Sequence, residues 1–172
     1  MADSYRTRLD ALMSQERAEQ ASLRAQLPAA LQASLPLDAV PIVAGMGFLA
    51  DAVGIGEEIR SAQRAQSSAN PAVLHGRVFG RGAGLTHDTV LAAFADGARV
   101  RNRLLLRLAE AIDGGPLRNE VGELLAEAPL PSEEDDADTS ADERTARIAR
   151  LFDAQERALA LCAERLDAIA AD

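Results

Sequence analysis

Apolar residues recur at helical spacing along most of this chain, in stripes separated by abrupt interruptions. From Ser4 to Leu27, Leu9, Leu12, Met13, Leu23 and Leu27 fit one stripe with charged residues on the other faces, the pattern of an amphipathic helix. Its middle, Glu16 to Gln20, is polar, as expected of a segment that projects past a core or faces a partner. Pro28 is expected to kink this helix or to start a short one over 28–35. From Leu37 to Ile55 only Asp38 and Asp51 are charged, and Pro36, Pro41 and four glycines (Gly45, Gly47, Gly54, Gly56) punctuate the run. A membrane-spanning helix needs about 20 apolar residues with few or no charges, so a buried central helix is the better reading. Its glycines would let a neighbouring backbone or a ligand come close.

A Ser/Asn/Pro stretch and a glycine-rich segment make residues 66–85 a flexible loop, after which Thr86 is placed to cap a long helix. Val90, Leu91, Phe94, Leu104, Leu105, Leu108 and Ile112 supply its inner side, and Gly114-Gly115 should stop it. Pro116 then sits at the favoured first position of a shorter helix. Residues 129–140 form an exposed acidic linker. Ser140 with Glu143 forms a Ser-x-x-Glu capping box that opens the last helix. That helix carries the clearest stripe of all, through Ile148, Leu151, Phe152, Leu159, Cys162, Leu166 and Ile169. The expected architecture is all-α: one domain over 1–172, a helical bundle of four main helices plus short helical segments. Spacing does not decide whether the C-terminal helix packs on its own chain or on another.

Composition agrees, since Ala and Leu dominate and aromatic residues make up only 3% with no Trp. All 18 basic residues are arginine, which a GC-rich coding bias explains. The absence of lysine removes Schiff-base, lysine-nucleophile and Walker-loop chemistry. A net charge of −9 repels nucleic acid and anionic lipid. One cysteine, Cys162, permits no internal disulfide, and the polar N-terminus has no apolar signal core. A cytoplasmic setting is expected.

The glycine-rich loop has the parts of an anion site: Arg77 and Arg81 to clamp phosphate oxygens, Gly82 and Gly84 to turn backbone N–H groups, and the helix start at Thr86. It lacks the lysine and spacing of a phosphate loop and the dinucleotide fingerprint, so a helix–helix joint is the competing reading. His75, His87 and Asp88 flank it without a recognisable metal-ligand spacing. No Glu-x-x-His occurs in the chain, which removes a typical di-iron centre. Cys162, in register with Leu159 and Leu166, reads as a small buried hydrophobe. Glu57 and Glu58 are adjacent and point apart, a poor acid–base pair. Asp51, an acid on an apolar helix, calls for an arginine from the long helix. Arg99, Arg103 and Arg107 are four apart and should form a basic ridge, open to an acidic partner or to self-pairing with residues 133–138.

No catalytic residue, cofactor or metal follows from these patterns. In size, low pI and amphipathic C-terminal helix the chain resembles the small acidic export chaperones of bacterial secretion systems. The function expected is therefore a non-enzymatic interaction or assembly protein, adaptor or chaperone-like, that binds a protein partner or itself. Leu151, Phe152, Leu159 and Leu166 with Arg99, Arg103 and Arg107 are its candidate partner-binding residues. The alternative is a small-ligand-binding helical domain that holds an anionic molecule with Arg77, Arg81, Gly82, Gly84 and Thr86 and lines its pocket with the Gly-rich apolar helix.

Overall fold

The computed structural model describes residues 2–26, 39–69, 87–130 and 140–172. Among them are five helices and no strand: α1 (Tyr5–Ala25), α2 (Val40–Ala52), α3 (Gly56–Ala69), α4 (His87–Ala126) and α5 (Ala141–Ala171). They pack as a helical bundle, and no helix among the described residues is long and apolar enough to cross a membrane.

Each helix start follows from local chemistry. The Ser4 hydroxyl accepts from the Thr7 N–H at 3.1 Å, satisfying one of the orphan donors at the head of α1. The Tyr5 and Arg6 N–H groups donate to the two carboxylate oxygens of Asp167, at 2.7 and 3.0 Å. A side chain near the end of α5 thus completes the cap of α1 and fixes the two helices antiparallel. The Ser140 hydroxyl accepts from the Glu143 N–H at 3.2 Å, as the Ser-x-x-Glu spacing predicts. Pro41 lies in the first turn of α2, where its missing N–H removes no helix bond.

The apolar run expected as a central helix yields α2, and the chain turns at its end before α3 begins. Gly54 adopts φ +80°, a conformation nearly reserved for glycine, and turns the chain between α2 and α3. α2 is the central element as expected, with Ile42, Met46, Leu49 and Ala50 fully buried. It reaches close contact at Gly45, where an added Cβ would lie 2.9 Å from Leu9 Cδ1 and 3.1 Å from Leu159 Cδ1. That glycine serves helix–helix approach.

α4 bends where the sequence places a stop. Asp113 (φ −147°, ψ 27°) and Gly114 (φ +64°, ψ −148°) leave helical geometry, and Pro116 begins the second segment. Arg165 of α5 braces this bend through Asp113 and through Glu120 at 2.6 Å. Leu105 and Leu108 from the first segment and Leu117 and Val121 from the second are fully buried. Full burial of each such side chain contributes about 1.5–3 kcal/mol.

α5 docks on its own chain. Leu151, Leu159, Cys162 and Leu166 are buried, in contact with α4, α1 and α2. Two details differ from the sequence reading. α3 continues through Ala69, four residues into the stretch expected as loop. Asp51 is exposed and pairs with Arg60 of α3 at 2.9 Å, not with the long helix, because the turn at Gly54 leaves Asp51 in the last turn of α2. Its carboxylate lies over Gly56, in the space a Cβ there would need.

Candidate functional site

Arg77, Arg81, Gly82, Gly84 and Thr86, with His75, lie outside the described residues, as do the acids 133–138. Residues 28–35 lie outside as well. Among the described residues no group of three or more His, Cys, Asp or Glu side chains gathers to hold a metal. Burial pushes the Cys162 thiol up to about 12, far from the thiolate a nucleophile needs. Glu57 and Glu58 diverge as their adjacency predicts. Glu57 takes Arg64 at 2.6 Å and Glu58 takes Arg107 at 2.8 Å, and each hydrogen bond holds its carboxyl below the usual value of 4.5.

The basic ridge is divided by these pairings. Arg107 is engaged by Glu58 from α3, and Arg99 pairs with Asp96 of its own helix at 2.9 Å. Arg103 is exposed and makes no ion pair among the described residues. The apolar candidates on α5 face inward: Leu151, Leu159 and Leu166 belong to the core and Phe152 is half-buried. While the bundle is closed, this face is not presented to a partner.

Two features remain. On α1, Leu9 and Met13 are buried, and the same face continues through half-buried Glu16, Gln20 and Arg24, at spacings of three and four. The inward stripe turns from apolar to polar along the helix, and beyond Met13 no residue of α1 is buried. Leu23 beside it is 50% exposed. Arg17 ties this half of α1 to Glu156 of α5.

The second feature lies between α4 and α5. Arg101, the residue between Arg99 and Arg103 in the ridge pattern, points inward and is only 8% exposed. Its Nε–H donates to Gln155 Oε1 at 3.0 Å. Gln155, fully buried, donates in turn to Asn102 Oδ1 at 2.8 Å and to the Ala98 carbonyl at 3.3 Å. The Phe152 ring covers the guanidinium at 5.6 Å, a cation–π contact. No carboxylate among the described residues pairs with this group, and Nη2 is buried without a hydrogen-bond partner. Desolvation lowers its pKa from 12.5 to about 10, so the charge persists at neutral pH.

Both polar residues were detectable as interruptions. Ala98, Arg101, Leu105 and Leu108 share one face of α4, and Leu151, Gln155 and Leu159 share one face of α5. A ridge counted at intervals of four captures Arg99, Arg103 and Arg107 and passes over the arginine in core register. No family model matches this chain, and neither a curated protein nor a solved structure matches it.

Proposed function

We propose that the chain is a non-enzymatic interaction or assembly protein, an adaptor or chaperone-like bundle that docks on a protein partner in the cytoplasm. The observation that carries this reading is the distal half of α1. A helix of this length holds chiefly through tertiary packing of one apolar face. Yet past Met13 the inward stripe is Glu16, Gln20 and Arg24, and Leu23 stands half out in water. A partner surface offering polar groups and an apolar seat for Leu23 would complete the burial of this segment. The net charge of −9 favours a partner with a basic face over a second copy of the chain. Inert Cys162 and carboxylates already paired with arginines fit a protein that binds rather than reacts.

The ligand-binding alternative draws no support from the Gly-rich helix, since the space at Gly45 is filled by Leu9 and Leu159. Deleting 140–172 would not test the assembly reading, because it would remove Leu151, Leu159 and Leu166 from the core. A photo-crosslinking amino acid at position 23, expressed in the native host, does test it. A cross-linked species heavier than the chain is expected, with none from the same probe at exposed Glu123. If position 23 gives no more product than position 123, the reading fails.

A further inference from the structure

The two halves of α5 are held by different means. Beyond Gln155, the residues Ala158, Leu159, Cys162, Ala163 and Leu166 belong to the main core. Five side chains there also reach other helices. Glu156 meets Arg17, Arg157 meets Glu127 at 2.6 Å, and Glu164 meets Arg6 at 3.3 Å. Arg165 takes Asp113 and Glu120, and Asp167 caps the head of α1. Exposed pairs contribute little singly, but here they recur along the whole segment.

Before Glu156 the attachment is thin. Among the described side chains from Glu143 to Gln155, none forms an ion pair with another helix, and Asp153 pairs within α5, with Arg157 at 3.1 Å. None of those described before Leu151 is buried. Leu151 and Ala154 join Ala98 and Ala128 in a small cluster separate from the main core, where the alanines offer little apolar area to bury. Antiparallel α1 meets Glu156 at Arg17 and runs on past this level without a buried residue beyond Met13.

The remaining tie is Gln155, hydrogen-bonded to Arg101, Asn102 and the Ala98 carbonyl of α4. That tie carries a cost. Docking of α5 places Gln155 and the Phe152 ring against Arg101, whose guanidinium meets no carboxylate among the described residues and keeps Nη2 buried without a partner. Opening returns this group to water, so its desolvation opposes closure. The fall of its pKa to about 10, caused by burial, agrees.

We propose that Ala141 to Gln155 form an arm that undocks from α4 as one unit while α5 beyond Gln155 stays seated, with the burial of Arg101 setting how readily it opens. Segments with few buried apolar contacts open at free energies below that of global unfolding. Opening brings Leu151, inward in the closed bundle, to the surface together with Arg101. Released from α4, a helix of this length is marginal in water, so undocking also frees its amides. The arm goes beyond the docking function and does not depend on it.

Hydrogen exchange of the full chain, resolved by residue in NMR at a series of low urea concentrations, tests the arm. Amides from Arg147 to Gln155 should share one opening free energy. Corrected for intrinsic rates, they should exchange at least ~10-fold faster than those of 159–168, with weak urea dependence. Amides 159–168 should exchange only with the steep urea dependence of global unfolding. The double variant Arg101→Met with Gln155→Leu, which replaces the buried charge network by apolar groups, should slow exchange of the arm at least ~5-fold. Equal protection and equal urea dependence in both halves would overturn the proposal. So would protection that rises steadily from 147 to 155, which is ordinary fraying, or a double variant whose arm exchanges no more slowly. None of these results bears on crosslinking at Leu23, so the two proposals fail separately.

Discussion

Gln155→Leu and Arg101→Met, alone and together, test the energetic account of the buried network. The fall of the Arg101 pKa from 12.5 to about 10 corresponds to roughly 3 kcal/mol of desolvation at about 1.4 kcal/mol per pKa unit. Gln155 offsets part of this with a hydrogen bond to a charged group, about 1.5–3 kcal/mol. Replacing Gln155 with Leu leaves Arg101 Nε and Nη2 both unpaired beside an apolar chain. The single variant should lose about 2–4 kcal/mol of stability. Arg101→Met removes the desolvation cost together with the hydrogen bond and the Phe152 contact, so its net change should lie within about 1 kcal/mol of zero. In the double variant two apolar side chains of similar length replace the pair. It should equal or exceed the wild type, as replacing a buried charge network by packed apolar groups often does, by about 1–4 kcal/mol. Urea unfolding followed by circular dichroism at constant slope gives the four free energies of the cycle. A double variant no more stable than Gln155→Leu would refute the reasoning, because removing the guanidinium would then relieve no desolvation cost.

Three further outcomes follow from the geometry. Gly114 lies at φ +64°, ψ −148°, a region essentially confined to glycine, so Gly114→Ala should cost about 1–3 kcal/mol, read by thermal unfolding; an unchanged midpoint would show that the bend is not held there. Asp167→Ala removes the acceptor for the Tyr5 and Arg6 N–H groups and should cost about 1–2 kcal/mol, with faster hydrogen exchange confined to the start of α1. The Cys162 pKa is raised to about 12 from 9.0, so the stability it supports is complete below pH 9 and is lost as pH rises toward 12. Between pH 9 and 10 the wild type should therefore lose stability that Cys162→Ala retains, and equal slopes for the two proteins would contradict this.

Much of the fold was legible because local chemistry decides it. Gly114-Gly115 with Pro116, Ser140 with Glu143, and the stripe from Leu151 to Leu166 each dictate a bend, a cap or a buried face without help from distant residues. The burial of α2 followed from its near absence of charge. The turn at Gly54 was missed because glycines at 45, 54 and 56 look alike in sequence. Only the backbone reveals that Gly45 admits Leu9 and Leu159, that Gly54 takes positive φ, and that Gly56 yields space to Asp51. Asp51 was assigned the wrong partner for the same reason, since Arg60 comes within reach only once the chain turns. The Asp167 cap joins residues about 160 apart in sequence, a distance no spacing rule spans. Arg101 was hidden by its neighbours: among closely spaced arginines, a period of four picks out the exposed ones, while core register picks out the buried one.

The central claim, that the distal half of α1 is a docking surface, is tested most directly by native mass spectrometry of the protein purified gently from its host, wild type beside Leu23→Glu. Because Leu23 is half exposed, the substitution should leave the fold and its thermal midpoint unchanged. The account predicts wild type carrying a second polypeptide at fixed stoichiometry, or an integer multiple of 18.2 kDa if the partner is another copy, and the variant as a single chain. A wild type found only as a single chain, or an assembly that Leu23→Glu leaves intact, would contradict it.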